Sequence, residues 1–255
     1  LSVVTHLSDD RLHQLEGLCL ALTDGDDRTV KSNSAASAVS TICVAVFVQD
    51  KTASTRVRHA IHALPGLDQL IVCVQCFTSR SPSKASWYPI NQLRNRALAQ
   101  AGTDLVLICD VDFRPCRRLA RLLRASGEIG SVFKRVSCRL NCVVLPAFEV
   151  SAARDDDDDG VSNEETLACK QELLKQWEQG RVVPFASRVW AQGHRATNFD
   201  RWKAATDLSG WYEVAYEEGF EPFVIMNRLL VPAFDERFEG YGRNKVCHCA
   251  IQPQL

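Results

Sequence analysis

Asp110 and Asp112 are spaced D-x-D directly after the apolar run Leu105–Cys109. Two carboxylates so placed at the end of a buried strand can converge on one hard cation, which prefers oxygen ligands and bridges protein carboxylates to substrate phosphates. In chemistry that expels a diphosphate, such an ion acts as a Lewis acid and neutralises the departing charge. A bare D-x-D also occurs in solvated turns, so the preceding strand gives the pair its weight. Phosphohydrolases also place a D-x-D after a strand, with the first Asp as nucleophile. They take a small Thr or Val two positions after the second Asp, where this chain has Arg114 followed by Pro115.

Other groups could serve a phosphorylated ligand and a sugar. Arg94 and Asn95 precede the D-x-D strand on a helical stretch, and a guanidinium recognises phosphate through planar, bidentate contacts. Trp190, His194, Thr197, Asn198 and Trp202 form a later group. Aromatic faces beside hydrogen-bonding groups suit a sugar, although a core Trp pair with capping polar residues would look similar. Glu221-Pro222-Phe223 and Phe234-Asp235-Glu236-Arg237 add carboxylates beside aromatics. Gly240 and Gly242 allow close backbone approach to a ligand, or form a plain turn.

The elements that must position these groups alternate strand and helix. Val3–Thr5 reads as a strand, Ser8 as an N-cap with Asp9 and Asp10 in the first turn, and Leu12, Leu15, Leu18, Cys19 and Leu22 as a helical stripe. Ile42–Val48 is a strand, Thr55–Ala63 a short helix and Leu70–Val74 a strand. Pro89 opens a helix through Gln100, closed by Gly102. Strand Leu105–Cys109 follows, then a helix at Leu119–Leu123, strands at Cys142–Leu145 and Phe223–Met226, and a Gly-rich turn at 240–242. Between the last two strands, Ser162 and Glu165 have capping-box spacing for a helix to Gln179. This alternation predicts an open α/β sheet with ligands at the carboxyl ends of its strands.

Lys+Arg is 30 against 31 for Asp+Glu, so the chain lacks the basic excess of a nucleic-acid binder. No apolar run reaches the roughly 18 residues that would suggest a membrane span, and no signal segment opens the chain. The chain begins without Met and reads as a portion of something longer. It has 11 cysteines. The C-x-x-C of Cys73 and Cys76 lies in a strand, which would not turn both thiolates to one zinc. Cys138/Cys142 and Cys247/Cys249 are candidates for disulfides in an oxidising compartment. The carboxylate run Asp155–Asp159 reads as an exposed loop, because packed carboxylates repel one another.

Long segments resemble glycosyltransferase family 49 in order and spacing. They are VVTHLSDDRLHQLEGLC (3–19), YPINQLRNRALA (88–99), LVLICDVDF (105–113), VLPAFE (144–149), RVWAQGHRATNFDRWKAAT (188–206), FEPFVI (220–225) and FDERFEGYGRNKVCH (234–248). The resemblance implies a GT-A (Rossmann-like) fold with a mixed, mainly parallel sheet. It also implies a manganese-bound UDP-sugar donor and inverting transfer of glucuronic acid to an acceptor glycan. By position it makes Asp110 and Asp112 the metal and diphosphate residues, with Thr5, Arg94 and Asn95 on the nucleotide side. His194, Asn198, Trp202, Glu221 and the Gly240–Gly242 turn would face donor sugar or acceptor. Residues 1–255 would form one catalytic domain, with surface insertions at 24–41 and 151–161. It would be truncated at the C-terminus, before a further metal-binding His. A Golgi-lumen location within a type II membrane protein is implied by the family alone.

Inverting transfer needs a carboxylate near the acceptor hydroxyl. The position after the Gly-rich turn holds Asn244, which cannot act as a base, so Glu221 and Asp235 are the candidates. The alternative is a non-catalytic glycan- or nucleotide-binding module of the same fold.

Overall fold

The computed structural model describes residues 1–23, 41–48, 50–65, 70–78, 88–116, 119, 134, 136, 142–151, 170–205, 211–238 and 244–245. Strands β1 (Ser2–Ser8), β2 (Thr41–Val48), β3 (Ile71–Thr78) and β4 (Leu105–Ile108) form the parallel part of a six-stranded sheet. Its order is β3-β2-β1-β4, continued by β8 (Phe223–Asn227) and β5 (Cys142–Leu145). β8 is antiparallel to both of its neighbours, which makes the sheet mixed and mainly parallel, as expected. A second sheet pairs β6 (Phe148–Val150) with β7 (Val182–Pro184). Strands this short carry too little alternation to be read from sequence.

Two-residue alternation divides the core. Val3 and Leu7 of β1, and Ile42, Val44, Val46 and Val48 of β2, pack with helices α1 (Leu12–Leu22) and α2 (Lys51–His62) on one face. Val4, Cys43, Ala45 and Val106 pack with Leu93 and Ala97 of α3 (Ile90–Ala99) on the other. Cys73 packs on the α3 side and Cys76 on the α1–α2 side, so strand geometry turns the C-x-x-C thiols to opposite faces. Cys142 carries a free thiol.

Several helix boundaries differ from the sequence reading for local reasons. α2 starts earlier because Asp50 is its N-cap, accepting from the Ala53 amide at 2.8 Å. Ser8 ends β1 with extended backbone but makes no side-chain cap, and a 3-10 turn (Asp9–Arg11) precedes α1. α3 buries Ile90, Asn91, Leu93, Arg94 and Ala97. A helical stripe facing the sheet therefore carries an amide and a guanidinium among its apolar residues.

The rest of the chain contributes α4 (Lys170–Glu178), α5 (Gln192–Arg195) and α6 (Phe199–Ala204). No helix among the described residues is long and apolar enough to cross a membrane. Leu119 is the described part of the helix expected at Leu119–Leu123, and α4 that of the helix expected to end at Gln179. Cys138, Asp155–Asp159, Ser162, Glu165, Cys247 and Cys249 lie outside the described residues. So do Gly240, Gly242 and nearly all of the insertions expected at 24–41 and 151–161.

Candidate functional site

β4 ends where the parallel ladder gives out. The Cys109 amide still donates to the Val4 carbonyl at 3.0 Å, and a turn then closes with the Phe113 amide donating to the Asp110 carbonyl at 3.1 Å. Val111 is buried in the core on the α1–α2 side. It thus anchors the turn that carries Asp110 and Asp112. The Asp110 side chain is 31% exposed and that of Asp112 is 48% exposed.

Asp110 is surrounded by nitrogen. Lys245 Nζ donates to its Oδ2, Arg94 Nη2 lies 3.4 Å from Oδ1 and His6 Nε2 is 3.9 Å from the same oxygen. Burial alone would raise the carboxyl pKa. The charges of Lys245 and then Arg94 overcome that penalty and hold it well below the usual carboxylate range. Arg11 Nη2 stands 3.9 Å from Asp112 Oδ2.

Arg94 is held rigidly. Its Nη1 donates to Asn91 Oδ1 at 3.1 Å and to Asn244 Oδ1 at 2.6 Å, and its Cζ lies 5.2 Å from the centre of the Phe234 ring. Its pKa is lowered by burial, with Asp110 opposing. Asn91 in turn donates to the Asp235 carbonyl at 2.8 Å. Asn95 binds the same segment, donating to the Phe234 carbonyl and Glu236 Oε1, both at 2.9 Å, and accepting from the Phe234 amide at 2.8 Å. Its amide is therefore occupied in fixing residues 234–236 beneath α3.

The carboxyl end of β1 brings His6. Its Nδ1 is 2.8 Å from the Tyr88 hydroxyl, and its buried Nε2 has no hydrogen-bond partner. Burial first, then the charge of Arg94, pushes its pKa down to about 3, so the ring is neutral at physiological pH. Thr5 is buried on the opposite face of β1, and its Oγ1 also lacks a partner.

Beside Asp110 is an aromatic wall. Phe113 lies 4.3 Å from Phe223 and 4.7 Å from Phe185, centre to centre. His194 stacks on Phe223 at 6.1 Å, and Lys245 Nζ sits 4.6 Å above the Phe223 ring. Burial, with Lys245 adding to it, pushes the His194 pKa down to about 4. Glu221 is half-buried, and its amide donates to the Gly193 carbonyl at 2.8 Å. Its charge acts on Arg94, more weakly than that of Asp110.

Other sequence-selected residues have different surroundings. Asp235 is held by Arg237, whose Nη2 is 2.6 Å and Nε 2.9 Å from its carboxylate oxygens. Those bonds, then one from the Arg237 amide, push its pKa down to about 2. Asn198 has a left-handed backbone (φ 51°) and caps α6 through the Arg201 amide at 3.0 Å. Trp202 joins a second aromatic cluster, 5.2 Å from Phe148, with Lys170 Nζ 4.4 Å over its ring. Sequence reasoning misses Lys245, Asn91, His6 and Tyr88, and it weighs Asn244 only as a base. Only a lone His at a strand end beside the D-x-D strand, and an Asn-Lys pair after the Gly-rich segment, offered any signal.

Among the described residues no group of three or more His, Cys, Asp or Glu side chains is placed to hold a metal. Asp110 and Asp112 nevertheless fit a hard cation that takes its other ligands from phosphate and water. The ammonium lodged on Asp110 shows that this carboxylate already stabilises a cation. The whole is a mixed α/β sheet with paired carboxylates and fixed positive charge at its strand ends.

Residues 67–251 match the family described as "Glycosyl-transferase for dystroglycan". The chain belongs to this family of glycosyltransferases, glycosyltransferase family 49. It is 31% identical over 251 residues to the xylosyl- and glucuronyltransferase LARGE1 of Danio rerio, covering 97% of this chain and 28% of that protein. It is 32% identical over 248 residues to LARGE2 of Mus musculus, covering 97% of this chain and 31% of that protein. The chain thus spans about three tenths of the length of these relatives. A partial likeness to the crystal structure of S. aureus TarS 1-349 has a TM-score of 0.28 and 16% identity, over 49% of this chain and 32% of the other.

Proposed function

We propose that this chain is the GT-A catalytic domain of a metal-dependent, inverting glycosyltransferase that moves glucuronic acid from UDP-glucuronic acid to an acceptor glycan. The observation that carries the reading is Asp110, kept ionised between Lys245 and Arg94 with exposed Asp112 two residues on. Asp110 and Asp112 would hold a divalent cation such as manganese. When bound, it would neutralise charge on the leaving diphosphate. Arg94 adds fixed positive charge to the same place, preorganised by Asn91 and Asn244. Thr5 on β1 belongs to the nucleotide side, and His194 and the Phe223 wall to the sugar side. Gly240 and Gly242, and the family's Golgi-lumen location, stay part of the reading.

Glu221 is the stronger candidate for the base. It would take the acceptor hydroxyl proton as that oxygen bonds to the sugar anomeric carbon and the bond to UDP breaks. Asp235 is a poor base because Arg237 occupies its lone pairs and holds its pKa to about 2. Glu221→Gln is expected to lower kcat by about 10²–10⁴-fold while leaving UDP affinity unchanged. Asp235→Asn should stay near wild type. Equal losses in the two variants would remove Glu221 from the role.

The test of the reading is calorimetric titration of UDP with manganese and with chelator, followed by UDP release from UDP-glucuronic acid in the presence of glycan acceptors. Manganese-dependent binding and turnover are expected. Binding without turnover for any UDP-sugar would support the non-catalytic glycan- or nucleotide-binding module instead, and absence of UDP binding would reject the transferase and the nucleotide-binding module.

A further inference from the structure

The ammonium on Asp110 stands where the proposed cation must bind. Lys245 Nζ donates to Oδ2 while Arg94 faces Oδ1 at 3.4 Å, so both oxygens of the first carboxylate already meet positive charge. A divalent ion joining them would crowd three cations around one carboxylate, with Arg11 near the second. At least one cation must give way unless new negative charge enters with the metal.

Arg94 is the cation that cannot leave. Its side chain is 3% exposed and is tied at once to Asn91, Asn244 and Asp110. Lys245 differs in each respect. Its side chain is 21% exposed, it rests on the Phe223 ring, and it is a point charge on a flexible four-carbon stem. The neighbouring Asn244 is anchored to Arg94 at 2.6 Å, so the backbone can stay in place while the Lys245 amine swings.

Resting on the metal and UDP reading above, we infer that Lys245 competes with the cation for Asp110. When metal and nucleotide bind together, it re-pairs with the donor diphosphate. A metal ion arriving alone displaces the amine without offering it a new anion. A metal arriving with a diphosphate supplies both the replacement cation and the replacement partner. Metal and UDP therefore promote each other's binding, by the same factor in either order. Lys245 is a donor-binding residue that sets this coupling.

The test measures manganese affinity, by the electron paramagnetic resonance of the free ion and by calorimetry, for the wild-type chain, Lys245→Met and Lys245→Gln. Each is measured without and with UDP, after circular dichroism shows that the variants are folded. Both variants are expected to bind manganese alone about tenfold more tightly than wild type, with the enhancement by UDP reduced by a similar factor. Gln keeps a donor for Asp110 but no charge, so agreement between the two assigns the effect to the charge. Unchanged or weaker manganese binding by both variants without UDP overturns the inference while wild-type binding of manganese with UDP leaves the functional reading intact. Wild-type protein that takes up no manganese even with UDP overturns both.

Discussion

Replacing Asp110 with Asn is expected to abolish manganese-dependent UDP binding and to lower turnover by at least about 10²-fold, the scale of losing several kcal/mol of charge stabilisation. It should also destabilise the fold by roughly 2 kcal/mol, in the range for hydrogen bonds to a charged group. The carboxylate neutralises Lys245 and Arg94 together, and an amide removes the counter-charge that they share. Asp112→Asn separates the two effects. Asp112 is 48% exposed, with Arg11 3.9 Å away, so its loss should change stability by no more than about 0.5 kcal/mol. UDP binding should still fail. Thermal melts beside UDP titrations make the comparison, and manganese-dependent UDP binding that survives in both variants would remove the pair from the metal site.

Arg94→Met should be the most destabilising single change near the site, at about 3–5 kcal/mol, the usual cost of breaking a buried charged pair. Native domains hold only about 5–15 kcal/mol in total, so a large part of the stability would go. The apolar replacement fills much of the volume but leaves Asn91 Oδ1, Asn244 Oδ1 and Asp110 Oδ1 without their shared donor. Arg94→Lys should not restore stability, because one ammonium cannot span the positions reached by a planar guanidinium. Urea unfolding gives the result directly. A midpoint close to wild type in the Met variant would mean that the three acceptors find other partners at little cost.

Much of this molecule is legible without coordinates. Runs such as Ile42–Val48 and Leu105–Cys109 are apolar throughout because parallel strands are buried on both faces. The stripe on α1 repeats at helical spacing, and a D-x-D at the end of a strand marks the carboxyl edge of the sheet. Those signals are local, which is why the α/β class and the place of Asp110 and Asp112 came from residue order.

The roles of single side chains depended on distant contacts. Asn95 and Arg94 are adjacent on one helix, yet Asn95 binds the Phe234 backbone while Arg94 faces Asp110. Asp235 and Glu221 both sit beside aromatics in sequence, and in the fold Asp235 is held by an arginine two residues on. Trp202 reads as a sugar-facing ring and in the fold packs on Phe148 under Lys170.

By itself, then, the sequence determined the strands of the main sheet and the helices that pack on it, that paired carboxylates end β4, and to which family the chain belongs. The elements follow from periodicity, the carboxylate pair from a short motif, and the family from resemblance over long segments. Only the tertiary structure decided that antiparallel β8 lies between β4 and β5, and that Lys245 and Asn244 close on Asp110 and Arg94 from 135 and 150 residues away. A contact between groups so far apart in the chain leaves no periodic trace in it. It exists because a half-buried carboxylate and a buried guanidinium must find partners once the sheet has taken them out of much of the water.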